Sequence, residues 1–557
     1  MSSGLTQAHT PRFGPDGDLW VSDYWNEEIR RFDGSTGAAL GARITESPPA
    51  GPYGFTFVPN LQVRVTSGLV VNSSGDSTDA SAGDGVCDTG GLNAAAQTEC
   101  TLRAAIEEAN ASSGSDAITF DIPTADGGHS AGVWTITPTS APPSISDPIT
   151  IDGTTQSGAS AATSTSPAAI DSSLTIELSG TAMPAGELAL RLVTGSSGSE
   201  IRGLAITGFD GGFTADAIRV QNSSDNVIAG NHLGVSASGA TEGANYIGVR
   251  IEGASTGNRI GGSLAADRNL FTVHDYAHID IGGAGATGTI IQGNDLGLRG
   301  GGADAVGATP TGITAWNGSS GTLIGGSDPA AGNRIRGATT GVIVDDNTID
   351  AFASIVGNRI WDNTGIGLDL GNDGVTANDA NDGDSGPNDL LNAPVITSAA
   401  GAAGTVDVDF DLDAPAGSYR VEIFANPGGA DPSGSGEGEL LVGNDSFIHP
   451  GGGSVSFTIS VPGANGDELT ATATEIVGAD SFGSTSEFSA AVTAAPNGCA
   501  DSDSDGLCDL EEDANTDADD DPATTSGPDT DGDTTPNYLD NDDDGDGALT
   551  SAENADP

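Results

Sequence analysis

"VIAGNHLGV" (Val227–Val235), "IIQGNDLGL" (Ile290–Leu298) and "IVGNRIWDN" (Ile355–Asn363) are three copies of one pattern. In each, a short apolar run meets Gly-Asn, and another apolar residue follows two places after the asparagine. The asparagines stand at 231, 294 and 358, so the copies lie 63 and 64 residues apart. Ile260-Gly261-Gly262 recurs as Ile324-Gly325-Gly326 at a spacing of 64, and Asn269 recurs as Asn333 at the same spacing. Apolar alternations between these marks centre near Arg219, Val249, Asp280, Thr314, Ile343 and Leu368. They define a rung of roughly 24 to 34 residues, two to each 64-residue unit. A strand this short cannot bury a face by itself, so each rung must stack on its neighbours. Gly and Asn accept left-handed backbone at the corners, and asparagines at equivalent corners can stack as hydrogen-bonded ladders. The stretch from 133 to 392 therefore reads as a right-handed parallel β-helix. An antiparallel sandwich with Gly-rich turns is the competing reading, and the two-rung register argues against it.

The rest of the composition agrees with an all-β chain. Of 557 residues, 84 are Gly and few are aromatic, which is too turn-rich for a helical protein. The net charge is −62, from 79 acidic residues against 17 basic ones, all of them Arg. Such a charge repels nucleic-acid phosphates and anionic membranes. It favours cations, or a salty medium that screens the self-repulsion. Lysine-free, acid-rich chains resemble halophilic proteins; a GC-rich genome combined with calcium-binding segments gives the same composition. No apolar run approaches the length of a membrane span.

Three further regions flank the repeats. "FGPDGDLWVSDYWNEEIRRFDGSTGAALG" (Phe13–Gly41) reads as strands broken by turns and resembles a blade of an NHL-type β-propeller; "GPYGFTFVPN" (Gly51–Asn60) resembles the opening of the next. Segment 1–66 thus reads as a partial propeller. In 67–132, "TLRAAIEEANA" is a helix with Leu102, Ala105, Ile106 and Ala109 on one face and Thr101 as N-cap. Cys100-Thr101-Leu102-Arg103-Ala104-Ala105-Ile106 resembles the start of CSLREA domains, with Thr for Ser and Ala for Glu. That resemblance implies a cap over the open end of the β-helix, its loop stapled by Cys87–Cys100. The four cysteines, at 87, 100, 499 and 508, allow three connectivities, of which local pairing is the simplest. After a polar exit segment, "TVDVDFDL", "YRVEIFA", "SVSFTISV" and "ELTATATEIV" alternate as strands with one wet face. Residues 393–497 read as an antiparallel, Ig-like β-sandwich.

The tail, 498–557, carries 21 acidic residues and no Arg. "DSDSDGLCDLEE" supplies Asp501, Asp503, Asp505, the Leu507 carbonyl, Asp509 and Glu512, with Gly506 at the turn. "DDDGDGALTSAE" supplies Asp542, Asp544, Asp546, the Ala548 carbonyl, Thr550 and Glu553 in the same register. "DTDGDTTPNYLD" supplies Asp529, Asp531, Asp533, Asn537 and Asp540, without the glycine or the glutamate. Alternating oxygen ligands, a central glycine and a terminal glutamate are what a twelve-residue calcium loop requires. The segment resembles thrombospondin type 3 repeats, which implies calcium-dependent folding of the tail.

Parallel β-helices resemble polysaccharide lyases and glycosidases, which implies that any catalytic residues lie on a lateral sheet face. Asp345, Asp346, Asp362 and Asp369 could lie along neighbouring rungs, and "HDYAHID" offers His274, Tyr276 and His278. The competing reading makes the acids turn formers and the two histidines surface residues. With no Lys and few Arg in the rungs, a lyase site is thin. The sequence therefore reads as a calcium-binding structural or adhesion protein, secreted or on the cell surface. Its partners would be glycans, other surface proteins or copies of itself, and not nucleic acid. A secreted polysaccharide lyase or glycoside hydrolase and a fibre subunit are the alternatives. "MSSGLTQAHT" has no signal-peptide pattern, so the sequence is a fragment lacking its signal peptide or export uses another signal.

Overall fold

The computed structural model describes residues 8–13, 19–23, 28–32, 39–45 and 68–496, apart from 308, 403, 430, 432–435 and 479–480. The predicted calcium ligands Asp501 to Glu553 and the Cys499/Cys508 pair lie outside the described residues, as does the second propeller segment. The chain divides into two units, Met1–Val65 and Thr66–Pro557. In the first, Ala8–Phe13, Leu19–Asp23, Glu28–Phe32 and Ala39–Thr45 pair antiparallel in chain order.

The second unit is built around a parallel β-solenoid of three sheets. Sheet A has nine strands, from Gly68–Val71 to Ala353–Val356. Sheet B also has nine, ending at Arg359–Trp361, with the short antiparallel His129–Ser130 at its start. Sheet C has seven, from Leu190–Leu192 to Leu368–Leu370. One turn visits each sheet in order: Glu200–Arg202 in A, Leu204–Thr207 in B, Ile218–Gln221 in C, then Val227–Ala229 back in A. The side-chain period of two sends alternate residues inward. In sheet C, Ile218, Val249, Ile279, Ile313, Val342 and Leu368 stack in register and are buried. Each contributes about 1.5–3 kcal/mol of apolar burial.

The Gly-Asn pattern explains the corner between sheets A and B. Asn231, Asn269, Asn294, Asn333 and Asn358 form one buried ladder. The backbone N–H of Asn294 donates to Asn333 Oδ1 at 3.0 Å, and its side-chain Nδ2 donates to that same oxygen at 3.0 Å and to the Ile260 carbonyl at 3.0 Å. The other members repeat this arrangement, so each asparagine satisfies backbone groups that the corner takes out of the sheets. The 64-residue spacing is therefore two rungs, with Asn269 and Asn333 as the intervening members. The glycine before the asparagine is required at Gly293: its φ is +67°, and a Cβ there would collide with the Gly262 carbonyl.

Both ends of the solenoid are covered. Helix α1 (Leu102–Ala111) follows the N-cap Thr101, whose side chain accepts from the Ala104 N–H. Leu102, Ala105, Ile106 and Ala109 join the same apolar core as Ile118, Ile136 and Ile151. Cys87 and Cys100 are disulfide-bonded. Buried Arg103 ties the helix outward, with Nε 2.9 Å from Asp76 Oδ1 and Nη2 donating to the Ser140 carbonyl at 2.7 Å. At the other end, residues 395–496 form two mainly antiparallel sheets, one containing Thr405–Leu412 and Val455–Pro462, the other Gly417–Ala425, Leu440–His449 and Glu468–Gly478. Their facing sides enclose a second core of Val406, Val408, Phe410, Val421, Ile423 and Leu469.

Three buried glutamates join this sandwich to the last turn of the solenoid. Glu437 Oε1 accepts from the Asn363 N–H at 3.1 Å and from its Nδ2 at 2.8 Å. Glu487 accepts from the Leu370 and Thr376 N–H groups, each at 2.9 Å. Glu422 accepts from the Gly357 N–H at 2.9 Å. One turn earlier, the Ala338 N–H donates to Asn363 Oδ1 at 3.0 Å, so Glu437 occupies the place of the asparagine a further turn would have supplied.

Candidate functional site

Parallel stacking converts residues about thirty apart in sequence into neighbours about 4.8 Å apart. On the outward side of sheet C this aligns Arg191, Arg219, Arg250, Asp280 and Thr314 in one row. A second row holds Gln221, Glu252, Gly282, Trp316 and Asp345. Gly282 leaves room for the Trp316 ring, since a Cβ there would meet its Nε1 and Cε2 atoms. Trp316 Nε1–H donates to Asp280 Oδ1 at 2.8 Å.

Stacked guanidinium groups repel one another, and buried carboxylates hold these together. Arg219 Nε donates to Asp216 Oδ2 at 2.6 Å. Arg250 Nε lies 3.4 Å from Asp216 Oδ2 and 3.4 Å from Asp280 Oδ2, so those two oxygens are no further apart than twice that distance. Arg191 donates to Gln221 Oε1, and Gln221 Nε2 donates to Glu252 Oε1 at 2.7 Å. Burial pushes the Asp280 carboxyl up to about 6, against the opposing pull of Arg250 and the Trp316 hydrogen bond. Burial likewise raises Asp216, against Arg250 and Arg219.

Beside these rows lies an aromatic cluster. The Tyr246 and Tyr276 rings stack with centroids 5.7 Å apart and planes at 14°. Phe213 meets Tyr246 edge-on, at 5.6 Å and 87°. Phe213 is 79% exposed and Tyr276 42%. Burial raises both phenols, and Arg250 and Asp280 act on each of them, so cluster and charged rows form one surface. Exposed Asp210 and Asp275 border it, and Asp210 raises Asp275 further after burial has done so. This surface offers flat apolar rings next to fixed hydrogen-bonding groups on a rigid sheet.

The sequence candidates are scattered relative to this surface. Asp345 lies in the second row, opposite Trp316, and accepts from the Asn347 N–H at 3.2 Å and Asn372 Nδ2 at 3.4 Å. Asp369 lies on the last strand opposite Ile343, buried, with its carboxylate accepting from the Asp373 and Gly374 N–H groups. Asp346 is exposed just past its strand, where its carbonyl accepts from the Ile349 N–H. Asp362 follows the last strand of sheet B and pairs with Arg336 at 2.5 Å. The surface placement of His274 and His278 is corrected: both are fully buried, with their Nδ1 atoms 2.9 Å apart. The strand carries an extra residue opposite Asn245–Ile247, and this bulge breaks the alternation that would point His274 outward. Burial lowers the pKa of both, that of His278 to about 3.

Asp216, Asp280, Tyr246 and Phe213 were not singled out from the sequence. No local motif joins them; aligning the strand centres near Arg219, Val249 and Asp280 would have brought them together. Two other places gather polar side chains. A cleft of about 310 Å³ lies where the last turn meets the sandwich, lined by Trp361, Asp362, Asn363, Glu437 and Glu439 among others. Its Asp362 is paired with Arg336, and Glu437 is already hydrogen-bonded to Asn363. Asp379, Asp382 and Asp384 bring carboxylate oxygens within 4.8 Å of one another, and nothing beyond the acids themselves points to an ion.

No protein-family model matches the sequence, and no curated protein matches it. Among solved structures, full-length tailspike protein 2 from Escherichia coli O157:H7 bacteriophage CAB120 aligns at 12% identity over 69% of this chain, with a TM-score of 0.24. This chain spans 65% of that protein's length. The enzymatically active domain of bacteriophage CBA120 tailspike protein 4 aligns at 11% identity over 87% of this chain and 88% of its own, with a TM-score of 0.16. Likenesses this loose carry no argument about function. No helix among the described residues is long and apolar enough to cross a membrane.

Proposed function

We propose that this chain is a glycan-binding β-helix protein of the cell exterior, with the outward side of sheet C as its binding surface. One observation carries the reading: Tyr246 and Tyr276, on adjacent strands of sheet C, and Phe213, in the turn before Ile218–Gln221, form a ring cluster beside fixed carboxylates and guanidinium groups, with Phe213 79% and Tyr276 42% exposed. Large apolar side chains clustered in water mark interaction sites. Rings suit the apolar faces of sugars, and the exposed carboxylates of Asp210 and Asp275 beside them suit hydroxyls. The strand spacing of about 4.8 Å offers a linear polymer a repeat close to its own.

A hydrolase reading has the Asp216/Asp280 pair in its favour. Both carboxyls are almost fully buried, and Asp280 Oδ1 is committed to Trp316. Neither presents a face to a glycosidic oxygen, so binding is preferred over cleavage. In this proposal the segment around α1 is a CSLREA-type cap, the first unit a propeller blade and the tail a calcium-binding module. The Cys87–Cys100 disulfide supports an oxidising compartment. Affinity electrophoresis against a panel of polysaccharides tests the surface. Tyr276→Ala should weaken binding at least tenfold, about 1.4 kcal/mol, while Tyr276→Phe retains it. Binding that ignores Tyr276→Ala would refute the placement.

A further inference from the structure

We infer that the glycan held on sheet C is an uncharged polymer, and that the surface discriminates against uronate-containing chains. This rests on the reading that sheet C binds a glycan, and deepens it by naming the class. The observations concern which charges a ligand would meet.

An acidic sugar is held best by a guanidinium fork that can offer two parallel N–H groups. The face has three arginines in line, Arg191, Arg219 and Arg250, and each already has a protein group beside its guanidinium. Arg219 is taken by Asp216, with Glu252 at 3.9 Å; Arg250 lies between Asp216 and Asp280; Arg191 is bonded to Gln221. The row thus balances three positive charges against Asp216, Glu252 and Asp280. In a chain with 79 acids and 17 arginines, such balance makes the row a locally neutral floor.

The groups around the rings are negative. Asp210 and Asp275 are exposed at the edge of the cluster, and Asp345 is half-buried at the end of the second row. Asp275 is adjacent in sequence to the exposed Tyr276, and Asp210 is close enough to act on it electrostatically. A sugar carboxylate stacked over Tyr276 would sit among these three, and the cation that acts there, Arg250, already lies between Asp216 and Asp280. A neutral sugar meets no such repulsion, and its hydroxyls can donate to the same carboxylates.

The test uses the whole chain and two probe sets, neutral hexose polymers and uronate polymers, with and without added calcium. The expected result is binding of a neutral polymer, lost in Tyr276→Ala, with every uronate polymer bound at least about tenfold more weakly. Asp210→Asn combined with Asp275→Asn should narrow that gap, with the far-UV spectrum confirming that the variant is folded. A uronate polymer bound as tightly as any neutral one, in either calcium condition, overturns the class and leaves the glycan-binding surface standing. Failure of both probe sets to bind, or binding indifferent to Tyr276→Ala, overturns the surface itself.

Discussion

The glutamates at the solenoid–sandwich junction make a sharp pH prediction. Burial pushes Glu437 and Glu487 from the ordinary 4.5 up to about 7, against the lowering effect of the N–H groups they accept. Burial raises Glu422 too, opposed by Arg420. A carboxyl whose folded pKa lies above its unfolded value holds its proton more tightly in the folded state. Its stabilising contribution is then complete below about pH 4.5 and is lost as pH rises through about 7. The rise from 4.5 to about 7 corresponds to about 3 kcal/mol for each of Glu437 and Glu487. Other acids, including buried Asp280 and half-buried Asp382 at about 6, act in the same direction. The informative quantity is therefore the difference between the wild type and the double variant Glu437→Gln, Glu487→Gln. The Thr376 N–H uses the second Glu487 oxygen, which glutamine lacks, but glutamine does not titrate and keeps an oxygen for the Asn363 and Leu370 N–H groups. Hydrogen exchange at those amides, followed from about pH 5 to about pH 8 and corrected for intrinsic rate, should show protection falling steeply in the wild type and much less in the variant. At the upper end the variant should be the better protected of the two. Equal pH slopes in the two proteins, or wild-type protection that rises with pH, would refute the reasoning.

Other expectations follow from the ladder, the cap and the tail. Asn294→Ala leaves the Asn269 donors and the Ile260 carbonyl unpaired inside the solenoid, and should lower unfolding stability by about 3 kcal/mol in denaturant titration. Replacing Cys87 and Cys100 by Ser opens a loop with a sequence separation of 13 and should cost about 3 kcal/mol, read as earlier melting and faster proteolysis of the cap. Calcium should change the circular dichroism of the full chain, and Asp501→Asn with Glu512→Gln should weaken that response. A spectrum indifferent to millimolar calcium in the wild type would remove the metal loops from the proposal.

The solenoid was legible because its corner chemistry is written locally. Gly293 must be left-handed and Asn294 must satisfy three partners, and the Gly-Asn pair recurs at four of the five ladder asparagines, Asn269 following Arg268 instead. The strands of the sandwich were equally plain, since alternating exposure in Thr405–Leu412 appears directly as alternating polarity. The proposed surface was not legible from motifs, because Arg219, Arg250 and Asp280 become neighbours only through rung register. His274 was misplaced for a related reason: an extra residue between it and Ala277 moves its side chain to the other face, and "HDYAHID" carries no mark of it. His278 lies beyond the bulge and is buried against His274 and Phe271.

The seating of Glu437 where another asparagine would stand has a consequence for self-association. An open solenoid end presents a row of unpaired amides, which a second chain can extend as a new rung. Here the amides of Gly357, Asn363 and Leu370 are already bound by carboxylates of the same chain. Strand-by-strand growth at this end would have to displace the whole sandwich and leave three glutamates without their donors. The junction thus acts as a chain terminator for β-polymerisation, and any fibre built from this protein must be joined through its sides or its other modules.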